Sequence, residues 1–214
     1  MAVHKYDGDG ILVLYDAKRC IHAAECVHGM PSVFDPAQRP WVQPRGADVE
    51  ELTTVVEKCP TGALHHERAD GKKEQPPSRN EIQPSPDGPL YIHAQVRLRD
   101  SSGGEIDSSF RVALCRCGAS ANKPFCDGKH VEIGFTDPGQ VPQSAAGASN
   151  VALSGALEIT LASNGPLLLR GPAVLRCAVT GAVMEAQKLA LCRCGSSANK
   201  PFCDGSHALV GFTG

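Results

Sequence analysis

The strongest constraint on this 214-residue chain is an internal repeat that aligns without a gap. An offset of 77 residues lays Gly88-Pro89-Leu90 on Gly165-Pro166-Leu167. The same offset carries Cys115 onto Cys192, Cys117 onto Cys194, Cys126 onto Cys203 and His130 onto His207. It also carries Gly134-Phe135-Thr136 onto Gly211-Phe212-Thr213. From Cys115 to Gly128, one position of fourteen differs, Ala119 against Ser196. Upstream the halves share mainly an apolar pattern, with Val112-Ala113-Leu114 against Leu189-Ala190-Leu191. Short β-rich runs separated by Gly-containing turns fit such a pattern. The expected units are residues 88–136 and 165–214, joined by a segment at 137–164 that includes a long loop at about 137–150.

Each copy offers three thiols and one imidazole within sixteen residues, CRCGASANKPFCDGKH and CRCGSSANKPFCDGSH. Thiolates are soft ligands that suit zinc or iron–sulfur clusters, and imidazole suits both, so ligand type alone leaves the metal open. Spacing is more informative. Structural zinc sites usually begin with cysteines two to four residues apart, whereas here one residue separates them, Arg116 or Arg193. Such a pair suits a two-metal cluster, with Cys-x-Cys on one iron and the later Cys and His on the other. The histidine follows its cysteine by four residues, so one helical turn brings both to one side. Asp127 and Asp204 stand where they could cap a short helix. Arg116 and Arg193 either screen cluster charge or face solvent.

These residues resemble the CDGSH iron–sulfur (mitoNEET-like) family, whose pattern C-x-C-x2-S-x3-P-x-C-D-G-S-H is met in full by the second copy. The first departs once, with Lys129 in place of Ser, at a position that is not a ligand. The resemblance covers about residues 88–214. It implies two [2Fe–2S] clusters, held by Cys115, Cys117, Cys126 and His130 and by Cys192, Cys194, Cys203 and His207. It further implies an intramolecular pseudo-dimer of the two repeats and hence a monomer.

A third cluster is expected nearer the N-terminus. Cys20, Ala23 and Cys26 keep the register of the bacterial C-x2-C-x2-C run with its middle cysteine lost, and Cys59-Pro60 supplies the remote element. Residues 10–68 resemble the divergent single-cluster ferredoxin family. Three thiolates match a [3Fe–4S] cluster directly. A [4Fe–4S] cluster needs a fourth ligand, for which His22 and His28 are candidates by proximity alone. In the absence of a cluster, Cys20 and Cys26 are buried thiols and Phe34 and Trp41 fill a core. Residues 1–69 read as a small ferredoxin-like α/β unit. Ile11–Tyr15 is a strand, and a helix follows Asp48 with Glu51 three residues on as a capping box. Val49, Leu52, Val55 and Val56 form that helix's apolar face. Residues 70–87, polar and rich in Pro and Gly, read as an extended linker. The expected fold class is thus α+β, with a β-rich C-terminal part.

Composition narrows the function. The formal charge of −2 carries no basic patch of the kind nucleic-acid binding needs. No run approaches the roughly 18 apolar residues of a membrane span, and no apolar signal segment opens the chain. Cytoplasmic placement follows as the expectation. Nine of the ten cysteines fall in metal-ligand patterns, and Cys177 stands alone as a buried thiol. His65 and His66 are expected at the surface end of a strand. No nucleophile–base set, phosphate loop or nucleotide fingerprint is present. The sequence therefore points to an electron carrier with an unidentified redox partner rather than an enzyme. The alternative is cluster storage or transfer, or redox and pH sensing.

Overall fold

The computed structural model describes residues 3–142 and 154–214. It is mostly β, with a few short helices. The chain divides into two compact units, Met1–Gln75 and Pro76–Gly214, each with its own apolar core. All ten cysteines are free thiols.

In the first unit, β1 (His4–Asp7), β2 (Ile11–Tyr15) and β3 (Leu64–Arg68) form an antiparallel sheet with β2 in the middle. Alternation along β2 buries Ile11 and Val13. α1 (Glu25–Gly29) is a single short turn. α2 (Val49–Glu57) begins where Asp48 accepts a hydrogen bond from Glu51 N at 2.9 Å, and it buries Leu52, Val55 and Val56. These side chains meet Phe34, Val42, Ala63 and Leu64 in the core. Trp41 packs at its margin, edge-on to Tyr15 at 4.9 Å.

The second unit is one sheet of six strands: β4 (Glu81–Pro84), β5 (Leu90–Arg99), β6 (Glu105–Leu114), β7 (Ala156–Leu161), β8 (Leu167–Arg176) and β9 (Val183–Leu191). Within each repeat the three strands pair antiparallel in sequence order. The repeats then exchange their first strands. β7 runs parallel to β5, Gln95–Arg99 against Ala156–Thr160, and β4 runs parallel to β8, Glu81 against Val174. Because β6 covers the whole of β5 along one edge, β4 and β7 share the other. The repeats build a single core, with Ile92, Leu98 and Leu114 of one packed among Ile159, Leu169 and Leu191 of the other. Two four-residue helices follow, α3 (Lys129–Glu132) and α4 (Ser206–Leu209).

Two sequence expectations change. Residues 70–87 are not linker throughout, since β4 lies inside them and Asn80 is fully buried. β4 and β7 lie before residues 88 and 165 and pair with the strands of the repeats. Both strands are too short and too mixed in polarity to announce themselves. In β4 the one apolar aliphatic side chain is Ile82, 0% exposed. The expected loop at 137–150 lies partly outside the described residues. His65 and His66 do not end a strand at the surface. They sit near the start of β3, and His66 is buried, its Nε2 2.9 Å from Glu57 Oε1. Cys177 is buried, as expected.

Candidate metal centres

Each CDGSH-like motif is built from the end of a strand, a returning turn and a short helix. β6 ends at Leu114, and an isolated bridge from Leu114 to Phe125 brings the chain back. Cys115 N donates to Pro124 O and Cys126 N to Ala113 O, both within 2.9 Å. The first and third cysteines are thereby held on adjacent segments. Leu191–Phe202, Cys192 and Cys203 repeat the arrangement. Asp127 precedes α3 and is not its cap, which is Gly128. Its carboxylate instead accepts from Lys129 N and Ala121 N, tying the helix to the turn. Asp204 does the same with Ser206 N and Ala198 N.

The eight ligand candidates stand in four pairs. Cys115 Sγ lies 3.6 Å from Cys117 Sγ, and Cys126 Sγ lies 3.3 Å from His130 Nδ1. The second repeat gives 3.7 Å for Cys192–Cys194 and 3.4 Å for Cys203–His207 Nδ1. Two sulfurs bonded at about 2.3 Å to one tetrahedral metal lie about 3.8 Å apart, so each pair is spaced to share one metal. Among the described residues no three such donors close on a single point. Two pairs per motif fit a binuclear cluster better than a mononuclear zinc site.

The thiols are held partly away from water. Burial pushes Cys126 up to about 11, and burial also raises Cys192. The hydrogen bond between Cys115 and Cys117 lowers Cys115 to about 6 and raises Cys117. Burial lowers His130. A cluster entering these sites must displace thiol protons, and in the first motif it meets an imidazole already inclined to be neutral.

The two motif loops touch main chain to main chain. Gly118 and Gly195 both have φ of +83°. A Cβ on Gly118 would lie 2.5 Å from Cys194 O, and one on Gly195 would lie 2.6 Å from Cys117 O. Arg116 and Arg193, which could have faced solvent, are 1% exposed.

The N-terminal cysteines come from three places: Cys20 in the loop after β2, Cys26 in α1, and Cys59 between α2 and β3. They line one small cavity of about 30 Å³ with Tyr15, Trp41 and Ala23. Ala23, where the family register would place the middle cysteine, faces the same space. Burial pushes Cys26 up to about 11, with the Cys59 charge adding to it. Burial also raises Tyr15, followed by its hydrogen bond with Cys20. A wider groove opens beside Cys20 and Cys26 and includes His22, which holds a left-handed φ of +57°. His28 lines neither space. The fold brings these three thiols to one small, mostly apolar cavity without closing them on a single point, and they are the donors there that could hold an iron–sulfur cluster.

Comparison with known proteins agrees with this division. A family model described as a divergent 4Fe-4S mono-cluster matches residues 6–68. A second, described as an iron-binding zinc finger of CDGSH type, matches residues 87–131 and again 164–208. The chain is 34% identical over 61 residues to the uncharacterized protein YjdI of Escherichia coli (strain K12), covering 28% of this chain and 80% of that protein. The YjdI protein of Escherichia coli O157:H7 matches to the same extent. No solved structure matches the chain. The chain belongs to the iron–sulfur proteins, carrying a divergent 4Fe-4S mono-cluster domain at its N-terminus and two tandem CDGSH iron-binding repeats behind it.

Proposed function

We propose that this protein is a multi-cluster electron carrier. It holds two [2Fe–2S] clusters in a CDGSH pseudo-dimer and a third cluster, [3Fe–4S] or [4Fe–4S], on Cys20, Cys26 and Cys59. It acts as a monomer on a redox partner protein, in a reducing, cytoplasmic setting, and catalyses no reaction of its own. The observation that carries the reading is the pairing of donors, two pairs per motif at 3.3–3.7 Å. The exchange of β4 and β7 between the repeats supports the pseudo-dimer. No helix of the described residues is long and apolar enough to cross a membrane.

When bound, a cluster supplies one-electron redox chemistry. The residues around it exclude water, fix the ligands and set the local charge. The test is iron, sulfide and zinc content with visible and EPR spectra on protein purified without oxygen. About seven irons supports all three sites with a [3Fe–4S] centre, and about four leaves only the paired motifs. Zinc without sulfide would sink the electron-carrier reading.

A second reading is cluster donation. A histidine ligand is the one most readily lost to acid, because its proton competes with the metal. Mixing the loaded protein with an apo-ferredoxin separates the two. Cluster appearing on the acceptor favours donation, and reversible reduction without transfer favours the carrier.

A further inference from the structure

Two hydroxyls of the first unit reach its cysteine sulfurs. Cys59 opens the turn from α2 to β3, and Thr61 Oγ1 lies 3.5 Å from Cys59 Sγ. Thr61 is 3% exposed. Its oxygen accepts from Ala63 N at 3.2 Å, which leaves its O–H to donate to the sulfur. Tyr15, the last residue of β2, places its hydroxyl in a hydrogen bond with Cys20. Trp41, edge-on at 4.9 Å, steadies the Tyr15 ring. Both hydroxyls are set by one junction. Tyr15 pairs with Leu64 across the β2–β3 ladder, and Asp16 N donates to Ala63 O at 2.8 Å. The turn that carries Thr61 is thereby stitched to the strand that carries Tyr15.

A thiol could donate or accept in either contact. A cysteine sulfur bonded to iron has lost its proton, so the hydroxyl becomes the donor in both. Burial raises the Tyr15 phenol, with the bond to Cys20 adding to it, so that group keeps its proton. The CDGSH motifs aim their hydroxyls elsewhere. Ser120 Oγ donates to Phe125 O and Ser197 Oγ to Phe202 O, both at 2.7 Å. Sulfurs there accept from the main chain instead, Cys126 Sγ from Gly128 N at 3.5 Å and Cys194 Sγ from Ser196 N at 3.4 Å.

We propose that Thr61 and Tyr15 tune the N-terminal cluster: their hydroxyls donate to the Cys59 and Cys20 sulfurs and hold its reduction potential up. The inference rests on those cysteines binding a cluster. Reduction by a one-electron reductant adds one negative charge to the cluster and breaks no bond. Hydrogen bonds to the sulfurs are one of the levers on a cluster's potential. A donor aimed at sulfur stabilises the more negative, reduced state more than the oxidised one. The effect is larger in a mostly apolar cavity than in water.

The test uses the full chain purified without oxygen, and it begins with iron and sulfide content. About four irons and no third EPR signal would overturn the third-cluster reading and this inference together, before any titration. With the third cluster present, a redox titration followed by EPR gives its midpoint potential. Thr61→Val and Tyr15→Phe remove a hydroxyl each and should both shift that potential down. Thr61→Ser keeps a hydroxyl and should return it to the parent value. The CDGSH signals should stay where they are in all three variants, which a general loss of structure would not leave unmoved. A parent potential in either loaded variant overturns the proposal, and so does a Thr61→Ser protein shifted as far as Thr61→Val. Loss of the third cluster from both Thr61→Val and Tyr15→Phe also overturns it, since the hydroxyls would then hold the site together rather than tune it.

Discussion

Gly118 and Gly195 show how much one absent carbon decides. Both combine left-handed backbone with a close approach to the other motif's cysteine carbonyl. Gly128 shares the left-handed backbone, φ +88°, but a Cβ there meets nothing within 4 Å. Gly128→Ala should therefore cost only the backbone strain, about 1–2 kcal/mol. Gly118→Ala should cost clearly more, since the contact between motif loops must also open, and urea unfolding of the loaded protein measures both. Equal losses would mean that the loop contact contributes nothing. The histidines carry a second prediction. His207→Cys replaces a neutral ligand by a thiolate, which lowers the cluster's potential and removes the ligand that acid displaces first. Visible absorbance should fall on acidification at a lower pH in His207→Cys than in the parent, and identical curves would remove the acid-lability argument. At this scale the pairing of candidate donors was legible because their spacing is local. The burial of Arg116 and Arg193 was not, since it depends on carbonyls and rings about twenty to thirty residues away in the chain.

Among the elements, α2 was readable from its cap and its apolar face, and it formed where expected. Asp48→Ala should cost the first unit about 1 kcal/mol, read as a shifted denaturation midpoint. The capping box is half made, with Asp48 accepting from Glu51 N. β4 was not readable. Its place is set by partners on both sides, His93 to Leu90 of its own repeat and Val174-Leu175 of the other. Asn80 locks that exchange. Its amide nitrogen donates to Gly155 O and Pro172 O, and its Oδ1 accepts from Gln95 N. Asn80→Ala leaves these buried groups unmatched, at about 1–3 kcal/mol for each one left unsatisfied. The second unit should lose stability while the first keeps its own midpoint. If both midpoints moved together, the units would not be independent.

For the whole molecule, the two separate cores make a direct prediction. Fragments 1–75 and 76–214 should each fold, with the CDGSH spectrum staying entirely with the second. By contrast, cutting between the repeats and separating the halves should unfold both, because they share one core and exchanged strands. Circular dichroism and visible spectra of the purified fragments check both outcomes. Sequence by itself determined the candidate ligands, the iron–sulfur family and the repeat, because metal-ligand patterns are written in local spacing and a repeat in self-similarity. It also placed a polar stretch at 70–87 after the first unit, within which the structure divides the chain after Gln75. Tertiary structure alone decided that β4 and β7 cross between repeats, that the motif loops meet at Gly118 and Gly195, and that both motif arginines are buried. Each of these depends on which distant segments come into contact, and neither local propensity nor periodicity carries that information.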